Sequence, residues 1–459
     1  MKRDFMSAFV ERIHFVGIGG VGMSGIAEVL LNLGYRVSGS DLKDGEMTRR
    51  LKSLGAKIFY GHKASHIAGA QVVVISSAVS SKNPEVLEAQ KKRIPVISRA
   101  EMLSEIGRMK KTVTIAGSHG KTTTTSMTAM ALSEAKAKPT IIIGGRLKNI
   151  HAGARLGISD YLVAEADESD GSFVHLSPLV AIVTNIDNDH LDFHKTMEAL
   201  KNSFVEHLKR LPFYGAAILC WDNPILREIS GSLSKPVITY GFGKSSQWTA
   251  KNIRLSKDGS NFDAFFQGKK KVGIHLSVPG KHNVLNSLAA LAAGNFLGFD
   301  LKLLAAGLSE FKGVGRRLDL IGKAKGVEFI DDYGHHPTEI KATLSAVSNL
   351  WKAKRVIVLF QPHRFSRTKL LANDFGPAFK GADMVFVTDI YPAGEKAIPG
   401  VTSRLIIDSI KKTGVSCAPF SNTQTLARQL RKGDLVLTLG AGDIRKTGEE
   451  LLRLAQTQG

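Results

Sequence analysis

The sequence predicts an α/β protein of three domains, each built on a mainly parallel sheet covered by helices. Short apolar runs alternate with helix-like stretches along the chain, which is the pattern of strand–helix–strand units. A length of 459 residues also exceeds what one hydrophobic core usually serves. A basic stretch at residues 108–111 precedes a new strand, and a glycine- and arginine-rich stretch at residues 313–317 follows a helical one. We therefore predict domains at residues 1–109, 110–312 and 313–459.

The composition is that of an ordinary globular protein. Apolar residues make up 43% and charged residues 22% of the chain, and no stretch approaches the roughly 20 apolar residues of a membrane helix. Charged residues near the start, Asp4 and Glu11 among them, argue against a secretory signal. Cys220 and Cys417 are the only cysteines. Two cysteines are too few for a disulfide framework or a Cys-rich metal site, and they favour a reducing cytoplasm.

The formal net charge of +21 leaves several kinds of partner open. A basic surface attracts nucleic acid, anionic membranes or anionic small molecules. The basic residues are spread along the chain, with only short runs such as those at residues 91–93 and 269–271. The sequence therefore does not show the dense cluster of basic residues on one face that is typical of a nucleic-acid-binding protein. We interpret the charge as a generally basic surface that tolerates nucleotide substrates.

The first predicted domain opens with a glycine-rich turn. An apolar run at residues 13–16 leads into the sequence GIGGVG at residues 17–22, and a helical pattern follows. Glycines let the backbone approach a diphosphate at the positive end of a helix. Asp41 ends a second strand, predicted at residues 36–40, near the spacing at which an acid holds a ribose hydroxyl, and Ser76 follows an apolar strand at residues 72–75. The alternatives are a dinucleotide site and a tight turn without a ligand.

A shortened P-loop motif begins the second predicted domain. An apolar run at residues 113–116 leads into the sequence GSHGKTT at residues 117–123, and a helix is expected from about Thr124. A P-loop needs glycine-rich backbone amides, a lysine for phosphate charge and a hydroxyl for Mg²⁺. Ile115 occupies the place of the first glycine of the usual spacing, so this is a shorter variant. The strand-to-helix junction favours an ATP site over a turn without a ligand.

Two apolar strands after the P-loop end in acidic clusters. Their sequences are EADESD at residues 165–170 and NIDNDHLD at residues 185–192. Carboxylates at strand ends beside a P-loop suit Mg²⁺, because hard cations take oxygen ligands. His190, in the second cluster, is either a metal ligand or a capping side chain. Farther along, a His-Asn pair at residues 282–283 opens an alanine-rich helix, where it either caps the helix or contacts a base edge.

The third predicted domain repeats the pattern of strands that end in polar residues. The clusters are DDYGHHP at residues 331–337, QPHRFSR at 361–367, DIY at 389–391 and GAGD at 440–443. In open parallel sheets, ligands bind outside the carboxyl ends of the strands. Arg364 and Arg367 share one face if the chain is helical there, and two guanidinium groups can then hold one carboxylate. The alternative is a pair of solvated arginines.

As a set, these motifs resemble those of the Mur ligases. The resemblance runs in order from Gly17 to Asp443 and is closest to the members that join L-alanine to UDP-N-acetylmuramate. Its most specific parts are the glycine-rich start and the DYGHH cluster at residues 332–336. Departures such as Ser118 for threonine and Lys281 for arginine remove no group that the chemistry needs. The resemblance implies a Rossmann-like N-terminal domain, a central P-loop ATPase domain with a parallel sheet, and a Rossmann-like C-terminal domain that is mobile.

The resemblance also implies an acid–amino-acid ligase of peptidoglycan precursor synthesis, with ATP and Mg²⁺ at two sites as cofactors. The muramyl carboxylate attacks the γ-phosphate of ATP, and the amino group of alanine displaces phosphate from the acyl phosphate. Such chemistry depends on positioning and charge stabilisation rather than on a nucleophilic side chain. The implied partners are UDP-N-acetylmuramate and L-alanine, without nucleic acid or integral membrane contact. The implied protein is cytoplasmic and a monomer or homodimer.

Carried over residue by residue, the resemblance implies four groups of site residues. Asp41 is added to the first group because of its distance in sequence from the glycine-rich turn. The UDP-sugar group is Gly19, Gly20, Gly22, Asp41, Ser76 and Arg99. The ATP group is Gly117, Ser118, His119, Gly120, Lys121, Thr122, Thr123, His282, Asn283, Asn286, Arg317 and Asp332. The metal ligands are Thr122, Glu165 and His190, and the amino-acid group is Tyr333, His335, Arg364 and Arg367. The residues implied to act in catalysis are Lys121, His119, His335 and Arg364.

Some members of the family carry a carbamylated lysine near the metals. Lys201 is the nearby candidate, and we assign it no such role.

Three other functions compete with this interpretation. An NAD-dependent oxidoreductase would use the first glycine motif, but hydride transfer needs no Mg²⁺–ATP site. An ATP-driven nucleic-acid motor would use the basic charge and the P-loop. A sister ligase that attaches a preformed peptide to the same sugar nucleotide differs only at the acceptor end, so it is the nearest alternative.

Overall fold

The computed structural model of the protein describes residues 6, 9–76, 78–149 and 152–457. The charged start of the chain, residues 1–5, lies outside this range. The strands form three sheets of five, ten and six strands. The chain divides into two compact units, the first of residues 1–254, 260–278 and 283–314 and the second of residues 255–259, 279–282 and 315–459. The predicted α/β class is confirmed, whereas the exact domain boundaries stay predictions.

The first sheet is formed by short strands linked by helices. Its strands are β1 (Arg12–Val16), β2 (Arg36–Asp41), β3 (Lys57–Tyr60), β4 (Val72–Ile75) and β5 (Val96–Ser98). Its α-helices are α1 (Val21–Asn32), α2 (Glu46–Ser53), α3 (Pro84–Lys91) and α4 (Arg99–Arg108). The order is β3-β2-β1-β4-β5 and every pair is parallel. The central strand β1 is buried from Ile13 to Val16, as a parallel strand covered on both faces requires.

The second sheet is the largest of the three. Its strands are β6 (Lys111–Ala116), β7 (Thr140–Leu147), β8 (Ala152–Arg155), β9 (Tyr161–Glu165), β10 (Val180–Val183), β11 (Ala216–Cys220), β12 (Val237–Gly241), β13 (Trp248–Ser256), β14 (Gly259–Phe266) and β15 (Lys269–Leu276). Its α-helices are α5 (Lys121–Glu134), α6 (Leu191–His194), α7 (Met197–Lys209), α8 (Pro224–Ser230), α9 (Lys281–Phe296) and α10 (Leu301–Ser309). The order is β15-β14-β13-β12-β11-β10-β6-β9-β7-β8.

The middle of this sheet is parallel, and its edges are not. Strands β12, β11, β10, β6, β9 and β7 pair in parallel, whereas β8 and β15 run antiparallel to their neighbours. The carboxyl ends of β6, β9 and β10 therefore meet at one edge. This edge collects the P-loop and both acidic clusters. The helix expected from about Thr124 begins earlier, at Lys121, because Gly120 adopts a left-handed φ of 80° and turns the chain directly into α5.

The third sheet belongs to the second compact unit. Its strands are β16 (Asp319–Ala324), β17 (Val327–Asp332), β18 (Arg355–Phe360), β19 (Met384–Val387), β20 (Ser416–Pro419) and β21 (Asp434–Leu439). Its α-helices are α11 (Pro337–Leu350), α12 (Phe365–Leu370), α13 (Ala372–Ala378), α14 (Arg404–Lys411), α15 (Thr423–Gln429) and α16 (Ile444–Thr457). The order is β16-β17-β21-β18-β19-β20, and only the edge strand β16 is antiparallel within the described residues.

Across the described ranges, no helix has both the length and the apolar character that crossing a membrane requires.

Candidate active site

The loop between β6 and α5 needs glycine at both of its ends. Gly117 and Gly120 have φ angles of 128° and 80°, where other side chains are strained. A Cβ atom on Gly117 would overlap the hydroxyl of Thr184, and one on Gly120 would lie 3.1 Å from Oδ1 of Asn286. The two glycines are therefore demanded by the turn and by its neighbours. The same contact places Asn286 of α9 against the loop.

Lys121, the first residue of α5, is held inside this loop. Its Nζ donates to the carbonyl oxygen of Gly117 and to Oε1 of Glu168, both at 2.8 Å. Burial opposes the charged form of Lys121, but the nearby carboxylates, Glu168 foremost, outweigh burial and raise the pKa of the ammonium group. The lysine therefore stays protonated, as the binding of anionic phosphates requires.

Three carboxylates surround this single ammonium group. Burial raises the pKa of Glu168 to about 7, with the charge of Asp167 adding to the shift and Lys121 opposing it. Burial also raises the pKa of Glu165. For Asp167, burial is outweighed by Lys121 and Arg99, which lower its pKa. Oε2 of Glu168 is buried without a hydrogen-bond partner among the described residues. With all three carboxylates ionised, the cluster would hold more negative charge than the lysine neutralises, so a bound cation would favour their ionised forms.

Thr122 and Glu165 bring two oxygen donors together beside Lys121. The hydroxyl of Thr122 donates to Oε1 of Glu165 at 3.2 Å, and Oε2 of Glu165 accepts from the N–H of Gly144 at 2.8 Å. A Cβ atom on Gly144 would lie 2.7 Å from Oε1 of Glu165, so a larger residue here would displace the carboxylate. A hydroxyl and a carboxylate are the hard oxygen ligands that Mg²⁺ prefers.

His190, the third predicted metal ligand, lies against Glu168. Its Nε2 is 3.7 Å from Oε1 of Glu168 and 3.6 Å from Oδ2 of Asp189. Its backbone has a φ of 59° at the start of α6. Of the three predicted ligands, Thr122 therefore contacts Glu165, and His190 lies beside Glu168, which was not predicted as a ligand.

His119 is fixed by the acidic segment that follows β10. Its Nε2 lies 2.9 Å from Oδ2 of Asp187, and its N–H donates to Oδ1 of Asn185 at 2.9 Å. The hydroxyl of Ser118 accepts from the N–H of Asp187 at 2.9 Å, and Thr123 is buried in α5. The loop and the second acidic cluster therefore support each other. Asp187 stands within the predicted cluster, but its pairing with His119 is visible only in three dimensions.

The three residues predicted to contact the base differ in their surroundings. Asn283 and Asn286 are buried in the first turns of α9. His282 is exposed, and a Cβ atom on Gly280 would lie 2.7 Å from its ring. The structure thus brings Asn286 to the P-loop, whereas His282 belongs to the second compact unit.

The glycine-rich turn after β1 is held by the end of β2. The N–H groups of Gly17 and Ile18 donate to the carbonyl oxygen of Ser40 at 2.8 and 3.0 Å. The N–H of Gly19 donates to Oδ2 of Asp41 at 2.8 Å. Asp41, which the spacing predicts to hold a ribose, therefore supports the turn itself.

Arg99 and Ser76 lie on either side of this turn. A Cβ atom on Gly22 would lie 3.1 Å from a guanidinium nitrogen of Arg99, and one on Gly17 would lie 3.5 Å from the hydroxyl of Ser76. Gly20 is the N-cap of α1 in an extended conformation. The charge of Arg99 also acts on the Asp167 carboxylate of the acidic cluster. Within the first unit, the predicted UDP-sugar residues therefore gather around one turn.

In the second unit, Asp332 closes the turn that follows β17. Its carboxylate accepts from the N–H groups of Leu318 and Gly334, both at 2.8 Å, and from the hydroxyl of Thr343 at 3.1 Å. Burial raises the pKa of Asp332, and the charge of Arg317 partly offsets this. The predicted ribose ligand thus also shapes its own loop.

Glu339 of α11 holds two predicted site residues at once. Its Oε1 accepts from the guanidinium group of Arg317 at 3.3 Å, and its Oε2 accepts from the N–H of His335 at 3.1 Å. Oε2 also lies 3.5 Å from Nδ1 of His335. Sequence reasoning missed Glu339, although its place three residues after the cap His336 matches a capping box.

An aromatic row extends from the predicted alanine residues. The ring of Tyr333 faces Arg317 at 5.1 Å and packs edge-on to His335 at 5.5 Å. His335 lies 5.4 Å from His363, which stacks on Tyr391 at 5.6 Å. His363 and Tyr391 follow β18 and β19, so they extend the site to strand ends that were predicted without assigned roles.

Arg364 and Arg367 lie near each other in sequence but have separate partners. A guanidinium nitrogen of Arg364 is 4.0 Å from Glu395, whereas Arg367 donates to the carbonyl oxygen of His363 at 3.3 Å. Arg364 precedes α12 with a φ of 72°, so the condition for a shared helical face is not met. A joint clamp on one carboxylate requires that both side chains turn toward it.

Lys201 donates to both carboxylate oxygens of Glu228, at 2.8 and 2.9 Å. The hydrogen bond to Glu228 is also the main cause that raises the pKa of Lys201.

The structure combines an α/β fold of three sheets with a P-loop whose lysine lies among buried carboxylates. This combination is that of an ATP-using enzyme. Three family models match the chain in order: "Mur ligase family, catalytic domain" over residues 12–111, "Mur ligase middle domain" over residues 115–294 and "Mur ligase, glutamate ligase domain" over residues 316–442. The chain belongs to the Mur ligase family, whose members bind ATP.

Similar proteins cover almost the whole chain. A UDP-N-acetylmuramate–L-alanine ligase of Endomicrobium trichonymphae is 53% identical over 97% of this chain and 99% of that protein. The crystal structure of UDP-N-acetylmuramate-alanine ligase from Thermotoga maritima matches with a TM-score of 0.81 and 30% identity, over 96% of this chain and 98% of that one. A murein peptide ligase from Psychrobacter arcticus matches with a TM-score of 0.72 at 24% identity, over 98% and 99% of the two chains, and so shares the fold.

Proposed function

We propose that this protein joins L-alanine to the carboxylate of UDP-N-acetylmuramate and converts ATP to ADP and phosphate. The observation that carries the proposal is the 53% identity, over 97% of the chain, to a relative named for this reaction. The P-loop lysine and the buried carboxylates supply the matching chemistry. The peptide-adding alternative is not favoured, because the curated relatives at about this identity carry the alanine name.

The reaction proceeds in two steps. A carboxylate oxygen of the muramyl group attacks the γ-phosphorus of ATP, and ADP leaves with the electron pair of the broken P–O bond. The amine of alanine then attacks the acyl carbon, and phosphate departs with the former carboxylate oxygen while the amine loses a proton. Lys121 holds the β- and γ-phosphates by its charge, and His119, oriented by Asp187, faces the transferring phosphoryl group.

Thr122 and Glu165 fit Mg²⁺, because they place a hydroxyl and a carboxylate oxygen 3.2 Å apart in a cluster of three carboxylates around one lysine. His190, beside Glu168, fits a second ion. When bound, Mg²⁺ neutralises charge on the phosphate oxygens. Because metal ligands must be deprotonated, binding requires Glu165 to be ionised.

The remaining assignments follow the groups predicted from the sequence. For ATP they are Gly117, Ser118, Gly120, Thr123, His282, Asn283, Asn286, Arg317 for a phosphate and Asp332 for the ribose. For the UDP-sugar they are Gly19, Gly20, Gly22, Asp41, Ser76 and Arg99. For alanine they are Tyr333, His335, Arg364 and Arg367. We further propose the domain boundaries 109/110 and 312/313, a cytoplasmic location and a monomer or homodimer.

Phosphate release by the purified full-length protein tests this function. The protein is supplied with ATP, Mg²⁺ and UDP-N-acetylmuramate, and then with L-alanine, glycine, L-serine or a preformed peptide in parallel. We expect L-alanine to support the fastest release and to yield a product heavier by one alanyl residue. Faster turnover with the peptide than with L-alanine, or phosphate release that does not depend on the UDP-sugar, would contradict the proposal.

A further inference from the structure

A buried charged cluster in the first sheet takes no part in the steps described above. Glu85, in the first turn of α3, has a side chain that is 0% exposed. Nδ1 of His66 lies 2.7 Å from its Oε1, while Nδ1 of His62 and Nε2 of His14 lie 3.4 and 3.7 Å from its Oε2. The hydroxyl of Ser40 donates to Oε2 at 2.6 Å. One carboxylate thus gathers groups from two strands and a loop.

These partners keep Glu85 ionised. Burial by itself raises the pKa of Glu85, but the nearby His14 ring and the hydrogen bonds with Ser40 and His66 outweigh burial and lower that pKa to about 2. A buried charge is costly, and an apolar side chain of similar size often packs as stably. Compared with an apolar side chain, the carboxylate also fixes the orientation of each polar group that it contacts.

Ser40 connects the cluster to the glycine-rich turn. Its hydroxyl is fixed by Glu85 and by Nδ1 of His62, which lies 3.0 Å away. The carbonyl oxygen of Ser40 and the carboxylate of Asp41 together accept the three N–H groups of residues 17–19. The end of β2 therefore holds the glycine-rich turn in place by hydrogen bonds, and Glu85 holds the end of β2 through the Ser40 hydroxyl.

The loop after β3 is tied to the same groups. The N–H of Lys63 donates to Oε1 of Glu85 at 3.4 Å, and the N–H of Gly61 donates to the carbonyl oxygen of Asp41 at 2.9 Å. The ring of His66 stacks on Phe59 of β3 at 4.3 Å. Movement of Glu85 would therefore disturb both the end of β2, through Ser40, and the loop after β3, through Lys63.

We propose that Glu85 is a positioning residue for the UDP-sugar, because through Ser40 it fixes the end of β2 and with it the amides of residues 17–19. This inference rests on the proposed function of the glycine-rich turn. Glu85 itself touches no substrate. Its loss should loosen the turn and weaken UDP-sugar binding, while the P-loop, which belongs to a different sheet, keeps its affinity for ATP.

Two variants of the full-length protein, Glu85→Gln and Ser40→Ala, test the proposal. In each, we expect the KM and the calorimetric Kd for UDP-N-acetylmuramate to rise by about 10- to 100-fold, as the loss of charge-assisted hydrogen bonds predicts. The KM for ATP should stay within about twofold. The double variant should lose no more than the worse single variant, because both changes break one link.

The matched control is Glu28→Gln, which breaks the 2.7 Å ion pair with Arg50 beside the same sheet and should leave every KM unchanged. If Glu85→Gln fails to fold, Ser40→Ala decides alone, because it keeps the carboxylate and removes only the link. Additive losses, a parallel rise in the KM for ATP, or an unchanged KM for the UDP-sugar would overturn the positioning role. A wild-type protein that neither binds nor converts UDP-N-acetylmuramate would contradict the proposed function instead.

Discussion

Glu168→Gln is the substitution that most sharply probes the acidic cluster. The variant keeps the shape of the side chain and removes the charge that accepts the 2.8 Å hydrogen bond from Lys121. Charge-assisted hydrogen bonds contribute roughly 1.5–3 kcal/mol, so kcat/KM for ATP should fall by about 10- to 150-fold. The KM for alanine should stay within about twofold, since Glu168 has no predicted contact with the acceptor.

The same substitution should change how stability depends on pH. The pKa of Glu168 is about 7 in the folded protein and roughly 4.3 in an unfolded chain. A carboxyl whose folded pKa is raised contributes stability that is fully present below the unfolded pKa and is lost as the pH rises through the folded pKa. The ligand-free wild type should therefore lose up to about 3.7 kcal/mol between pH of roughly 4 and 8 through this group, and Glu168→Gln should lack that loss.

Phosphate release at varied ATP, and urea midpoints at several pH values, measure the two effects. Glu228→Gln is the matched control, because it breaks a Glu–Lys pair of the same 2.8 Å length in which the glutamate is 60% exposed. Exposed pairs contribute little, so the control should resemble the wild type in both assays. ATP kinetics of Glu168→Gln within about threefold of the wild type, or an equal loss toward alanine, would refute the role given to Glu168.

Three further predictions concern other parts of the site. Lys121→Ala should lower turnover, measured as phosphate release, by at least about 10³-fold, and near-normal turnover would contradict the assignment of residues 117–123 as a P-loop. Arg364→Ala should raise the KM for alanine by about 10- to 150-fold, with partial recovery in Arg364→Lys, whereas an unchanged value would make Arg364 a solvated side chain. Asp187→Asn should lower kcat by roughly tenfold through His119, and a loss confined to ATP affinity would argue against a role in transfer.

The fold could be predicted from local signals where apolar strands end in polar clusters. The P-loop shows this best, since residues 113–123 contain the strand, the turn and the lysine in one stretch. The start of α5 was predicted three residues late, because the threonines after Lys121 are poor helix formers. In the structure, the hydroxyls of Thr125 and Thr128 bond back to the carbonyl oxygens of Lys121 and Thr124 at 2.8 Å.

The edge of the second sheet was not predicted. Strands β13 and β15 carry several basic side chains, and the run at residues 269–271 looks like solvated surface in the sequence. Their partial exposure is that of an edge. Pairing with a neighbouring strand, which the sequence does not display, makes them a sheet.

The site residues that sequence missed are those that act across long separations. Glu168 meets Lys121 from 47 residues away, and Asp187 meets His119 from 68 residues away. The motifs place such acids at the right edge of the sheet, but which carboxylate contacts which partner depends on side-chain direction. Glu339 was missed for another reason, since a carboxylate in a first helical turn is usually only a cap.

The central claim is that a carboxylate of the sugar is activated by phosphorylation before alanine attacks. The most direct measurement uses UDP-N-acetylmuramate whose carboxylate carries isotopically heavy oxygen, with ATP, Mg²⁺ and L-alanine, followed by mass spectrometry of the released phosphate. Because phosphate departs with the former carboxylate oxygen, each phosphate should contain one heavy oxygen and the amide product should retain the other. Phosphate free of the heavy isotope, formed alongside the alanyl product, would contradict the acyl-phosphate route.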